Sequence, residues 1–178
     1  MKKIFIVLIL FLIIYIMYEL LLDREIKYLY IGNTTYDKYN KIIEEYYREG
    51  NHTTYIRDDD YRVVDLINEI SDNKIINKRK IQNLLVKSNI ITISIGLSDL
   101  SRKELDYKYV DEFISDIERL IILIRKYNKD KIYFLGYYNK NMYYDYINNK
   151  LNTICKQNNI TFINIEKPIY KQIKILYN

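Results

Sequence analysis

The chain has 178 residues, a net charge of +5 and an apolar fraction of 49%. This length and composition fit one folded domain with a real hydrophobic core, and they exclude an intrinsically disordered chain. The lysines and arginines are scattered, without a basic block that carries interleaved aromatic residues. This argues against nucleic-acid binding and favours a solvated surface attracted to anionic lipid headgroups. With one cysteine and one histidine, no intramolecular disulfide can form, and we expect neither a metal cluster nor a cofactor.

Residues 1–22 form the first predicted element. Two lysines precede an uncharged apolar run over residues 4–18, and Glu19 and three leucines follow it. Because a spanning helix needs about 20 apolar residues, we expect residues 4–22 to contact the membrane as a single-pass anchor. The preceding lysines predict a cytoplasmic N-terminus and an extracytoplasmic domain. No small-x-small cleavage site follows, so an uncleaved anchor is favoured over a removed signal peptide.

A short linker is expected over residues 23–27, and a single α/β domain over residues 28–178. Short β-branched runs predict strands, and apolar spacings of three and four predict helices. The predicted strands are 27–32, 53–57, 90–95, 131–136 and 160–165, and the predicted helices are 36–49, 63–70, 81–87, 109–127, 142–157 and 168–176. Strict alternation predicts a three-layer α/β/α sandwich around a parallel, flavodoxin-like five-stranded sheet.

Three predicted strands end at or beside a glycine: Gly32, Gly96 and Gly136. Glycine allows a sharp turn at a sheet edge, and ligands of open α/β sheets bind just beyond the carboxyl ends of the strands. Residues 96–99 are therefore expected in a polar loop at that edge. The sequence contains no glycine-rich nucleotide-binding loop and no G-x-S-x-G elbow. Cys155, beside apolar residues of a predicted helix, is expected to be a small buried hydrophobe.

The segment 88–100 reads SNIITISIGLSDL, an apolar strand followed by a polar stretch with glycine. It resembles the third block of the SGNH/GDSL hydrolase family, in which Gly-x-Asn-Asp follows a strand. Residues 28–35 stand where the first block, Gly-Asp-Ser, belongs, and residues 60–67 resemble the second block and its helix. The resemblance covers residues 28–166 and is strongest to small membrane-anchored bacterial members. It implies the fold of esterases, lipases and acyl-transfer enzymes.

The resemblance also implies site positions. The nucleophile position falls on Thr34, the oxyanion-hole glycine on Asp60, and the oxyanion-hole asparagine on Ser98, while Asp99 is retained. A threonine hydroxyl can attack an ester but needs a base, and its methyl group crowds the site. The loss of one oxyanion donor typically lowers the rate by about 10²–10³-fold.

The catalytic base is the decisive difference. Members of the family place Asp-x-x-His near the C-terminus, whereas the single histidine here is His52. Because His52 precedes a predicted strand, we interpret it as an exposed loop residue at the edge opposite Thr34. Asp37, Asp60 and Asp99 are expected on the edge of Thr34. Their mutual repulsion could raise one pKa and provide a general base, and the alternative is an ordinary set of solvated loops.

Three functions stay open at this point. The first is a catalytically degenerate SGNH/GDSL-like domain held at the membrane. The second is a weak esterase that acts on acyl esters through Thr34. The third is a non-enzymatic module that binds a partner, an anionic lipid or a glycan. A truncated gene product would also explain the missing base.

Overall fold

The computed structural model describes most of the predicted α/β domain. The described residues are 15, 27–32, 52–57, 60–76, 78–102, 104–138 and 141–165. The predicted anchor apart from residue 15, the linker before residue 27, and the predicted helices 36–49 and 168–176 lie outside them. Within the described ranges, no helix has both the length and the apolar character that crossing a bilayer requires.

A parallel sheet of five strands forms the centre of the fold, in the order β2-β1-β5-β6-β7. A separate antiparallel pair, β3 with β4, interrupts the alternation and was not predicted. The parallel sheet and its flavodoxin-like order are confirmed. The strands are β1 (Lys27–Gly32), β2 (His52–Arg57), β3 (Ile75–Ile76), β4 (Arg79–Lys80), β5 (Ile90–Ser94), β6 (Lys131–Leu135) and β7 (Thr161–Ile163).

Five helices lie within the described residues. They are α1 (Val63–Ser71), α2 (Ile81–Lys87), α3 (Leu97–Ser101), α4 (Tyr107–Tyr127) and α5 (Met142–Gln157). Four of these confirm predicted helices to within two residues. The polar loop expected over residues 96–99 is wrong, because this stretch turns directly into α3. The turn closes where the N–H of Leu100 donates to the carbonyl of Gly96 at 3.1 Å.

The long helix α4 shows how the sequence builds the core. The carboxylate of Asp106 accepts from the N–H of Tyr109 at 2.7 Å and caps its first turn. Its apolar stripe joins those of α1, α2 and α5 and the inward residues of β1 and β5 in one continuous core. Tyr28, Tyr30 and Thr92, which point to the opposite face of the sheet, are also buried. Burial on both faces fits the three-layer prediction, and the second helical layer stays a prediction.

The parallel strands give the sheet two unlike edges. We call the edge where the strands end the carboxyl rim; it includes Gly32 and Ser94. The edge where they begin, the amino rim, includes Lys27 and His52, which pair in register. The predicted position of His52 at the amino end is therefore confirmed. Its interpretation as a loop residue is wrong for the backbone, because strand pairing extends to the first residue of β2.

Candidate functional site at the carboxyl rim

The site is built around Gly96, which ends the loop after β5. Gly96 has φ +104°, a left-handed value that side chains rarely adopt. A Cβ atom there would lie 2.6 Å from Cζ of Phe113 and 2.6 Å from the hydroxyl of Tyr137. Both backbone angle and packing therefore require glycine, and this glycine directs the chain into α3.

Tyr137 and Asn148 hold this loop in place. The Tyr137 hydroxyl donates to the carbonyl of Ile95 at 2.5 Å. The side chain of Asn148 accepts from the N–H of Tyr137 at 2.9 Å and donates to its carbonyl at 2.8 Å. Sequence reasoning missed both residues. The available signal was a polar Asn148 beside Ile147 on the apolar face of α5, where a buried amide needs partners.

Ser98, the predicted oxyanion-hole residue, lies in the first turn of α3. It is buried, with 7% of its surface exposed. Its carbonyl accepts from the hydroxyl of Ser101 at 3.2 Å, which tightens the short helix. The structure thus brings Ser98 to the carboxyl rim as expected, within a packed turn.

Asp99 has a structural task that the sequence did not reveal. Its Oδ2 accepts from the N–H of Val63 at 3.1 Å. Arg62, at the N-cap position of α1, makes no side-chain capping bond of its own. Asp99 therefore caps α1 from another element, and the hydroxyl of Tyr109 fixes it by donating to its carbonyl at 2.7 Å.

The charge of Asp99 is poorly compensated. Burial raises the pKa of its carboxyl group, while the bond from Val63 and the nearby charge of Arg62 act in the opposite direction. Arg62 itself holds Asp65 through two hydrogen bonds of 2.9 and 2.8 Å. These bonds lower the pKa of Asp65. Arg62, whose charge acts on Asp99, is therefore already paired with Asp65.

Asp60, at the predicted oxyanion-hole glycine position, is held loosely at the same rim. Its side chain is 92% exposed, and its Oδ1 lies 3.7 Å from Nη2 of Arg102. The same nitrogen donates to the Asp60 carbonyl at 3.5 Å. Arg102, which follows α3, thus connects the second-block and third-block positions. Sequence reasoning missed Arg102, because no local pattern pairs it with a residue 42 positions away.

The position that corresponds to the first block of the family begins within β1. Gly32 pairs with Ser94, and a Cβ atom on Gly32 would overlap the carbonyl oxygen of Ser94. Close packing of β1 against β5 therefore requires glycine at this point. Thr34 and Asp37, the predicted nucleophile and rim carboxylate, lie outside the described residues.

Comparison with known proteins identifies solved structures with a similar fold. No protein-family model matches the sequence, and no curated protein matches it. Among solved structures, the chain is similar to the psychrotrophic esterase EstA from Pseudoalteromonas sp., with a TM-score of 0.54, 12% identity, and coverage of 78% of this chain and 76% of that chain. The fold is SGNH/GDSL hydrolase-like.

Two further solved structures are similar to the chain. A carbohydrate esterase family 3 protein from Talaromyces cellulolyticus gives a TM-score of 0.55 at 11% identity, covering 78% of each chain. A family two carbohydrate esterase from Clostridium thermocellum gives 0.60 at 14% identity, covering 82% of this chain and 55% of that chain. At such identities the similarity establishes the fold alone, so the roles of Thr34, Asp60 and Ser98 stay predictions.

Proposed function

We propose that this chain is a membrane-tethered, extracytoplasmic SGNH/GDSL-like domain without ester-hydrolase activity. The position of its single histidine carries the proposal. His52 begins β2 at the amino rim, whereas Thr34 follows the carboxyl end of β1. A six-residue strand spans roughly 16 Å between its first and last residues. Proton transfer needs contact at about 3 Å or one bridging water, so a base at the start of β2 does not reach the carboxyl end of β1.

The polar side chains at the carboxyl rim give further support. The carboxylate of Asp99 is used to cap α1, and Ser98 is packed in the turn of α3. Asp60 carries a carboxylate at the position where the family resemblance predicts a neutral N–H donor for the oxyanion. A negative charge there opposes the negative charge that develops during acyl transfer. These groups serve the fold more directly than they serve catalysis.

A nitrophenyl ester assay tests the proposal. The full chain, purified in detergent, is incubated with nitrophenyl acetate and butyrate, with Thr34→Ala and Ser101→Ala as matched variants. We expect all three proteins to give the same rate as protein-free buffer. Turnover that disappears in Thr34→Ala and persists in Ser101→Ala would overturn it.

A second candidate, a weak ester hydrolase with a carboxylate base, is favoured by one observation. Burial raises the pKa of Asp99, and a carboxyl group with a raised pKa is a better general base. Such an activity would depend on the deprotonated form of Asp99, so it would rise with pH through that raised pKa and then level. A rate with this profile, abolished by Asp99→Asn, would identify the enzyme; a flat profile would reject it.

The proposed tether is tested separately. The apolar run at residues 4–22 is expected to carry the full chain upwards with vesicles in a density gradient, even after washing in alkaline carbonate. Replacement of Leu10 and Ile13 by arginine should prevent this flotation, because charges near the bilayer centre oppose insertion. Release of the unaltered chain by carbonate would reject the tether without affecting the ester assay.

A further inference from the structure

A basic cavity lies at the amino rim, far from the candidate site. It has a volume of about 840 Å³ and lies between the starts of β1 and β2, the β3–β4 hairpin and α2. Five cationic residues line it: Lys27, Lys78, Arg79, Lys80 and Lys87. None of the described residues that line it is acidic. The cavity therefore suits a ligand with negative charge.

The part of the chain that the structure describes offers these five cations no acidic partner. Within the described residues none of them forms an ion pair, whereas Lys74 on the same rim is paired with Glu69. Lys87 lies in the last turn of α2, where the helix dipole favours a cation. The dipole does not account for Lys27 in a strand or for the cations of the hairpin. These charges are therefore available to an anionic ligand.

An aliphatic side chain is exposed beside the cations. Ile75, which lines the cavity, is 65% exposed. A surface that mixes cations with exposed aliphatic groups is typical of contact with the boundary between lipid headgroups and acyl chains. A site for a small soluble anion would not need this aliphatic group.

Chain geometry brings this rim close to the predicted anchor. The apolar run ends at residue 22, and β1 begins with Lys27 at the amino rim. The chain makes five residue steps from residue 22 to Lys27, and these reach at most about 18 Å when fully extended. The strands themselves span roughly 16 Å to the other rim. A short tether therefore allows the amino rim to approach the bilayer within the about 8–10 Å over which electrostatic attraction acts.

We propose that the amino rim rests on the membrane and that its basic cavity binds the headgroups of anionic phospholipids. This inference deepens the proposed function and rests on the proposed tether. It orients the carboxyl rim, with Ser98 and Asp99, away from the bilayer. The competing orientation would use Tyr138 and Met142 at the carboxyl rim, which are 58% and 63% exposed.

Energy transfer from the two rims to the bilayer distinguishes these orientations. The full chain carries a dye at Ile75→Cys or at Tyr138→Cys, and the vesicles carry acceptors on their headgroups. Cys155 does not interfere, because it is fully buried and burial raises the pKa of its thiol to about 12. Vesicles of phosphatidylcholine alone are compared with vesicles that also contain phosphatidylglycerol, at low and high salt.

We expect stronger transfer from position 75 than from position 138 in the anionic vesicles, and a smaller difference at high salt. Each cation lost near an anionic surface weakens the attraction about fivefold. The triple variant K78Q/R79Q/K80Q should therefore weaken the preference for the orientation with the amino rim on the membrane, on the order of 100-fold. Transfer from positions 75 and 138 should then be equal. The charge-matched variant K108Q/R119Q/K150Q, altered on the helices away from the cavity, should keep the difference.

Other outcomes overturn the inference. Equal transfer from both positions, or stronger transfer from position 138, would reject it, as would an equal loss in the two triple variants. Flotation of the full chain, measured on the same samples, separates the causes. If the chain floats but transfer from positions 75 and 138 is equal, membrane contact by the amino rim is rejected and the tether is kept. Failure to float with any vesicle rejects the tether as well.

Discussion

The two rims of the sheet differ in how they use polar side chains. At the carboxyl rim, carboxylates and a hydroxyl hold short turns, as Asp99 and Tyr137 do. At the amino rim, Asn128 donates to the carbonyls of Leu85 and Ser88 at 2.7 and 2.6 Å. Arg125 donates to backbone carbonyls at the ends of two helices. Parallel topology explains the difference, because helix N-termini need acceptors and helix C-termini need donors.

Charged side chains also differ between the carboxyl rim and the amino rim. Acidic residues such as Asp65, Asp106 and Asp145 lie in the first turns or caps of helices, at the carboxyl rim. Lys87 and Lys126 lie in the last turns, at the amino rim. Helix dipoles favour this arrangement. Cations beyond those that the helix dipoles favour therefore need another explanation. The cations of the β3–β4 hairpin are of this kind.

Gly96→Ala should give the largest effect and disrupt the carboxyl rim. The left-handed backbone angle and the 2.6 Å approaches to Phe113 and Tyr137 both oppose a methyl group. We expect a loss of about 3–4 kcal/mol in the free energy of unfolding. Chemical denaturation measures it, with Ser101→Ala on the adjacent helix as the control. A loss below about 1 kcal/mol would show that this loop adjusts freely.

Asn128→Ala tests the amino rim against Asn148→Ala at the carboxyl rim. Asn128 makes three bonds, including one from the N–H of Asp130 at 2.8 Å, and Asn148 makes two. We expect losses of about 3 and about 2 kcal/mol, because each buried partner left unsatisfied is costly. Asn83→Ala, on the exposed side of α2, should change stability by less than about 0.5 kcal/mol. A larger loss for Asn148→Ala than for Asn128→Ala would contradict the expected difference between the two rims.

Asp99→Asn should change the pH dependence of stability. The pKa of Asp99 is raised above its ordinary value of 3.8, so the folded protein binds this proton more tightly than the unfolded chain does. The contribution of Asp99 is fully favourable below pH 3.8 and is lost as pH rises through the raised pKa. Asparagine keeps an acceptor for Val63 and carries no charge, so the variant should lack this loss.

Two variants make that measurement specific. Asp99→Ala also removes the cap of α1 and should be about 1 kcal/mol less stable than Asp99→Asn at every pH. Asp65→Asn should show the opposite sign, because Arg62 lowers the pKa of Asp65 and its stabilisation is lost as pH falls. Thermal unfolding from pH 3 to pH 8 records all three. Parallel curves for Asp99→Asn and the unaltered chain would exclude an effect of burial on Asp99.

Arg102→Ala should have the smallest effect. Its partner Asp60 is 92% exposed, and the closest approach of their charged groups is 3.7 Å. Exposed ion pairs contribute less than about 1 kcal/mol. Arg119→Ala, which breaks a remote surface pair with Asp116 at 2.9 Å, is the matched control. A much larger loss for Arg102→Ala would mean that the loop of Asp60 depends on this contact.

The sequence by itself determined the alternation of strands and helices. The helix 142–157 is confirmed at both ends, because its apolar period and the flanking asparagines act locally. The buried run at 90–94 was recognisable as a central strand from its β-branched residues. The glycines at positions 32 and 96 marked the carboxyl rim. The hairpin β3–β4 was missed, because two-residue strands carry no periodic signal.

Tertiary structure alone decided what the polar residues do. Asp99 caps a helix 36 positions earlier, and Asn128 joins carbonyls 43 and 40 positions away. Composition showed a net charge of +5 but not that five cations surround one cavity. Hydrogen bonds and charge clusters depend on distances in space, whereas sequence patterns report neighbours along the chain. The difference between the two rims therefore became visible only after the sheet had assembled.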